Sequence, residues 1–242
     1  GAMEQLQEAL GLARLPFRIE CFDVSHTQGS EVVASMVVFE GGRPKKEDYR
    51  RFKIKVDSNN DFANMAEAVR RRFKRGLAER EAIADGRVKD LAEGLVAAAV
   101  ALPDATEFSA VDDDELSPET QPIEEVADIP MAGEAPKFAL FPDLLIIDGG
   151  KGQLGYARDA MRELGVEHIA TFGLAKEEEL LCEEGREEWI RLPRGSQGLF
   201  LLQRVRDEAH RFAITYHRKL HRKAATHSRL DDVPGVGPKR KK

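Results

Sequence analysis

Cysteine is scarce in this chain: two residues, Cys21 and Cys182, far apart and without metal-ligand spacing. That count leaves no disulfide framework and no structural zinc site, and suits a reduced, cytosolic protein. Long apolar runs are missing too. No stretch approaches the ~20 residues of a membrane span and no signal peptide is visible, so no membrane partner is expected. Net positive charge is also lacking, at −6, which taken alone argues against a polyanionic partner.

That total averages unlike segments. Leu77–Lys137 holds 16 acidic and 4 basic residues. Arg43–Gly76 holds 12 basic against 5 acidic, and Arg194–Lys242 holds 13 against 4. Two basic segments flank an acidic one, and local charge decides where a polyanion docks.

With 242 residues there is room for one large domain or two small ones. Gly1-Ala2-Met3 reads as a remnant of an expression tag. Glu4–Ala13 reads as a short helix. In Phe17–His26, FRIECFDVSH, residues alternate as in a strand. Phe17, Ile19, Cys21 and Asp23 share one face, so an aspartate ends an otherwise apolar row. Either the strand stops there and Asp23 begins a turn, or its carboxylate is paired, hydrogen-bonded or metal-bound. Strands at Glu31–Phe39 and about Tyr49–Val56 complete an antiparallel meander. On the third, Arg51, Lys53 and Lys55 form a basic face, which suits either an edge strand or DNA contact.

The turn residues Asp57–Asp61 precede a helix to about Arg75, with Phe62, Met65, Ala66, Val69 and Phe73 as its apolar stripe. Arg70, Arg71, Arg72, Lys74 and Arg75 then crowd its end, where the helix dipole favours cations. Glu81–Ala101 reads as a further alanine-rich helix. Pro103–Pro136, acidic and punctuated by prolines, reads as a flexible insertion. The wholly apolar Leu144–Ile147 is a central strand that ends in Asp148, and a helix Leu154–Leu164 follows. A strand near His168–Leu174, a hairpin around Gly185 and a helix from Ser196 to about Ala225 close the domain. In that last helix Leu199, Leu202, Val205, Ala209, Phe212, Ala213 and Tyr216 make the apolar stripe. Arg204, Arg206 and Arg211 make it basic.

Asp148 ends a strand as Asp23 does. On neighbouring parallel strands the two carboxylates would meet at one edge. Like charges there need a cation between them, and oxygen ligands favour Mg²⁺ or Mn²⁺. His210, within RVRDEAHRF, is the histidine best placed to add a nitrogen or to act on a proton. A phosphate loop at IIDGGKGQ fails on spacing, since it needs glycine at Leu145 and Ser or Thr at Gly152.

ECFDVSHTQGSEVVASMVVFEGGRPKKEDYRRFKI, LLIIDGGKGQL and LLQRVRDEAHRFAITYHRK resemble the C-terminal nuclease half of UvrC, the incision subunit of bacterial nucleotide-excision repair. The likeness runs from about Phe17 to the end, apart from the acidic insertion. It implies an α/β, RNase H-like fold: a mixed sheet, antiparallel meander plus parallel strands, with helices on both faces, over residues 4–226. It implies an Asp-Asp-His site of Asp23, Asp148 and His210 holding Mg²⁺ or Mn²⁺. Asp61 comes with it as a further acid, either an N-cap or a peripheral ligand. Lys151 and Gln153, in the GGKGQ loop, and Arg206 become candidate phosphate contacts. The implied activity is incision 5′ to a lesion. The implied partners are damaged double-stranded DNA and a UvrB–DNA complex. Neither a GIY-YIG nuclease module nor a UvrB-engaging linker is present in the sequence. Residues 227–242, with LDDVPGVGPKRKK, resemble the start of a helix-hairpin-helix, truncated and expected to be disordered. A structure-selective nuclease without lesion partners, and a DNA-binding module with a dead site, are the competing readings.

Overall fold

Strand β1 (Arg18–His26) occupies the middle of the sheet, bonded on one side to β2 (Val32–Glu40) and on the other to β6 (Leu144–Asp148). The computed structural model describes residues 1–26, 32–54, 60–85, 123–124, 137–175 and 179–231, with side chains to residue 215 of the last helix. The remaining strands are β3 (Arg43–Pro44), β4 (Arg50–Ile54), β5 (Ile123–Glu124), β7 (Ala170–Ala175) and β8 (Leu180–Cys182). Among the described residues the sheet has eight strands in the order β5-β4-β2-β1-β6-β7-β8, with β3 beside β2. The β1–β2–β4 meander is antiparallel, while β1–β6 and β6–β7 are parallel. This is the expected mixed sheet.

Helices cover both faces. Helix α2 (Asp61–Ala84) and helix α3 (Lys151–Glu163) pack side by side on one face. Helix α1 (Ala2–Leu10) and helix α4 (Gln197–Asp231) pack together on the other. β6 is buried along its whole length, as its unbroken apolar run requires. The α4 stripe from Leu199 through Ala213 is buried as predicted. Tyr216 lies outside the described side chains. No described helix is long and apolar enough to cross a membrane.

Several boundaries differ from the sequence reading. α1 begins at Ala2, so the presumed tag residues Ala2 and Met3 pack against the core. It stops at Gly11, whose φ of 63° is the left-handed cap that glycine accepts without strain. α2 continues to Ala84, so Arg70–Arg75 lie mid-helix and the dipole account of that cluster fails. They are used instead by carboxylates: Arg70 by Glu163, Arg71 by Glu67, Arg72 by Glu20 and Arg75 by Glu79. The expected helix over 81–101 starts inside α2, and from residue 86 it lies outside the described residues. So does most of the acidic insertion, and the tail from residue 232. α4 runs past the expected domain end to Asp231.

β4 is not an edge strand, because β5 pairs with it in parallel. Its arginines do not face solvent either. Arg51 is buried, with its guanidinium 3.6 Å from the Phe212 ring centroid and donating to the Phe212 carbonyl at 3.0 Å. Arg51 therefore anchors α4 and is not presented to DNA; Lys53 is partly exposed, and Lys55 lies outside the described residues.

A fully buried ion pair lies on the α2 side of the sheet. Arg72 and Glu20 are both fully buried, joined by Nε–Oε2 at 2.9 Å and Nη2–Oε1 at 2.8 Å. Arg72 also donates to the Phe138 and Leu140 carbonyls at 2.7 and 2.6 Å. One side chain thus ties α2 to β1 and to the segment that leads into β6. Gly76, one turn on, exists to admit that segment: a Cβ there would lie 2.5 Å from the Phe138 carbonyl oxygen and 2.6 Å from the Phe141 ring. Gly76→Ala is therefore expected to cost about 1–3 kcal/mol through overpacking. A lower urea midpoint at unchanged slope would register it.

Candidate active site

β1 and β6 are parallel neighbours whose last paired residues are Phe22 and Ile147. The next residue on each strand is an aspartate, Asp23 and Asp148. Equivalent positions on paired parallel strands share a face, so both carboxylates are carried toward α4. They are 3% and 4% exposed. One detail departs from the sequence reading: β1 does not end at Asp23. Its pairing with β2 continues to His26, so Asp23 sits where β6 leaves off, still held on its other side. Asp148 is the last residue of β6 and pairs with Leu174.

The register extends the row. Asp23 stands opposite Ser35 on β2, and Ser35 opposite Arg51 on β4. Ser35 is fully buried, and its Oγ has no hydrogen-bond partner among the described residues. A polar row thus runs beneath α4 through an otherwise apolar layer. Sequence reasoning missed Ser35, because nothing local announces that it will face Asp23; only the strand register does.

α4 brings His210 over this row, with Nδ1 3.5 Å from Asp23 Oδ2 and the imidazole 58% exposed. The helix is held at that level by Arg51 and by Tyr49, whose hydroxyl donates to Glu208 at 3.0 Å and whose ring meets Phe212 edge-on. Burial and the Glu208 charge push the Tyr49 phenol well above its usual range, so it remains a donor. Cys21, buried on the same face as Asp23, reports on the field. Burial raises its thiol, the charges of Asp148 and Asp23 raise it further, and Arg206 opposes them. Both carboxylates and Arg206 thus act on one point.

The other predicted residues are placed differently. Arg206 bonds Glu179 at 3.0 Å and Asp207 at 2.8 Å. Glu179 also accepts from Gln203 at 2.6 Å. This carboxylate, in a turn at φ 55°, fixes the orientation of Arg206, and the sequence carried no signal for it. Arg211 pairs with Glu208, and Arg204 donates to the Gly42 carbonyl. Lys151 opens α3 and donates to the Glu187 carbonyl at 2.8 Å. Gln153 accepts from the Gly150 amide at 3.0 Å, closing the first turn of α3. A Cβ on Gly149 would overlap that amide group, which explains the glycine before it. Asp61 occupies the first turn of α2. The cap is Asn60, which accepts from the Phe62 and Ala63 amides, so the N-cap reading of Asp61 is corrected.

The donors fit a hard divalent cation: two near-buried carboxylates, an imidazole and a buried hydroxyl without a partner. The set is not closed, however. Among the described residues no group of three His, Cys, Asp or Glu stands in position to hold a metal. Asp23 and His210 form a pair, and Asp148 stands one strand away.

Residues 7–214 match the family described as the UvrC RNAse H endonuclease domain. Among curated proteins, the UvrABC system protein C of Symbiobacterium thermophilum is 68% identical over 242 residues, covering 100% of this chain and 34% of that protein. Those of Moorella thermoacetica and Thermobifida fusca are each 44% identical, covering 100% and 99% of this chain and 30% and 32% of theirs. The chain spans about a third of the length of the relatives it matches. With a family match over most of its length and the mixed sheet that goes with it, the chain belongs to the UvrC RNAse H endonuclease domain family.

Proposed function

We propose that this domain is the nuclease module of a nucleotide-excision repair protein, and that it hydrolyses a DNA phosphodiester 5′ to a lesion in a reaction requiring Mg²⁺ or Mn²⁺. The observation that carries this reading is the placement of Asp23 and Asp148 side by side on one sheet face, with His210 above them. Asp23 and Asp148 would hold the cation, and His210 would join them or move a proton at the site. A divalent ion there supplies polarisation of the phosphate and a lower pKa for bound water. The chain's own contribution is rigidity. β2 holds the backbone at Asp23, while Arg51 and Tyr49 fix the level of His210. Arg206, oriented by Glu179 and Asp207, carries a charge that acts on Cys21 against those of the two carboxylates. The partners of this reading are damaged double-stranded DNA and a UvrB–DNA complex, in the cytoplasm.

The test is a pre-nicked, damaged duplex incubated with Mg²⁺, Mn²⁺ or chelator. Incision 5′ to the lesion is expected with either ion and none with chelator. Cutting that survives chelation would overturn the metal requirement. Cutting confined to undamaged branched DNA would replace lesion incision with structure-selective cleavage. No cleavage of any substrate would leave a binding module.

A further inference from the structure

Phe62 belongs to the apolar stripe of α2 by its spacing, yet it is 43% exposed. Its ring lies against the first turn of α3, where a Cβ on Gly152 would sit 3.0 Å from two ring carbons. Tyr156, one turn along α3 and 46% exposed, meets it with ring centroids 5.7 Å apart and planes tilted by 36°. Near the start of the same helix, the Lys151 ammonium lies 5.4 Å from the ring centroid of Trp189, itself 39% exposed. Three half-open aromatic rings and a cation therefore surround one helical turn. Scattered exposed aromatics are ordinary. These are gathered from three separate segments, and one of them is seated by a glycine.

Their position gives them a use. α3 starts three residues after Asp148 ends β6, and the Phe62–Gly152 contact sets the start of α2 beside it, so the rings lie at the edge of the sheet where the candidate site residue Asp148 stands, on the face opposite α4. A DNA strand whose phosphate entered that site would bring its bases past this surface. Aromatic faces bind unpaired bases by stacking, whatever the sequence, and a nearby ammonium favours the backbone.

We propose that Phe62, Tyr156 and Trp189 form a stacking surface for unpaired bases of the DNA strand being cut. The location rests on the nuclease reading above; the binding does not depend on metal, and is tested without it.

The chain is titrated, in chelator and at fixed salt, with a single-stranded oligonucleotide and with a duplex of the same length. Trp189 is the one tryptophan in the sequence, so its emission reports stacking directly. Single strands are expected to quench it more than duplex does. Phe62→Ala and Tyr156→Ala are each expected to weaken single-strand binding by roughly 5- to 150-fold, the effect of losing one stacked base. Duplex binding should change by less than about 2-fold, as expected of a phosphate-dominated contact. Phe62→Trp should restore affinity. Gly152→Ala, which displaces the Phe62 ring, should reproduce the loss while Tyr156 is intact.

Equal losses on both DNAs, no loss, or no quenching would overturn the inference. So would the finding that these rings are needed to retain UvrB but not single strands. Nicking that depends on Asp23, with single-strand binding indifferent to Phe62, would remove this inference and leave the nuclease reading. Stacking without any nicking would do the reverse.

Discussion

Replacing Asp23 with alanine is expected to lower nicking of a pre-nicked damaged duplex by about 100-fold or more, the scale on which metal sites respond to loss of a ligand or its support. Duplex affinity should be largely retained, because phosphate contacts supply most of it. The fold should not suffer. Asp23 is a near-buried carboxylate beside a second one, Asp148, and like charges at close range oppose each other. Removing one relieves that opposition, and β2 continues to hold the strand through His26. With the contact to the half-exposed His210 lost in exchange, the melting temperature of Asp23→Ala should stay close to that of the parent chain. Loss of activity with undiminished stability is the signature of a site residue. Normal cutting would refute the assignment, and a collapsed melting curve would make Asp23 a structural residue.

Arg72→Ala should behave in the opposite way. It removes the partner of a fully buried Glu20 and strands the Phe138 and Leu140 carbonyls. Breaking a buried pair from one side costs about 3–5 kcal/mol, since the surviving charge is left in a medium that solvates it poorly. At about 2–4 °C per kcal/mol for a domain of this size, the melting temperature should fall by roughly 6–20 °C. Arg18, 3.1 Å from the same Glu20 oxygen, softens the loss without replacing the two-pronged contact. Arg72→Lys keeps a charge but not the fork, so it should fall between. The apolar pair Glu20→Leu with Arg72→Met should recover much of the loss, because it leaves no unpaired buried charge: the buried Arg18 keeps Glu40 and Asp48. A single Arg72→Ala variant that melts with the parent would mean that this pair does not hold α2 to the sheet.

These two variants separate the faces of the sheet. On the α2 face, the polar groups Glu20 and Arg72 neutralise one another and lock the fold. On the α4 face, Asp23, Asp148 and Ser35 stand as polar groups that the apolar layer around them does not explain. Alternation along β1 distributes Glu20 to the first face and Asp23 to the second. Within three residues of one strand, a structural carboxylate and a candidate catalytic one are thus kept apart.

Legibility varied with the range of the cause. β6 was readable because four consecutive apolar residues, Leu144–Ile147, fit a covered central strand, and all of β6 is buried. The α4 stripe was readable because the helical period is local. The hairpin around Gly185 is present, with Leu181 and Ile190 exchanging both backbone hydrogen bonds. The inward turn of Arg51 was not legible because charge shows in sequence and an aromatic cover does not: Phe212 is 161 residues from Arg51. The arginine cluster of α2 was misplaced because the end of the helix was set too early. Phe62 fitted the stripe by spacing, but it lies in the first turn of α2, where α3 presents a glycine in place of a pocket.

The sequence by itself determined the element types, the three motifs and the three side chains proposed for chemistry, since each is written in neighbouring residues. Tertiary structure alone decided that Asp23 and Asp148 are adjacent, that Ser35 lines up with them, that Arg51 faces inward and that Phe62 faces out. Strand register and helix placement are set by contacts between separate elements, from Asp23 opposite Ser35 on the next strand to Arg51 against Phe212, 161 residues on. A local pattern carries its own period but holds no record of the partner it will meet.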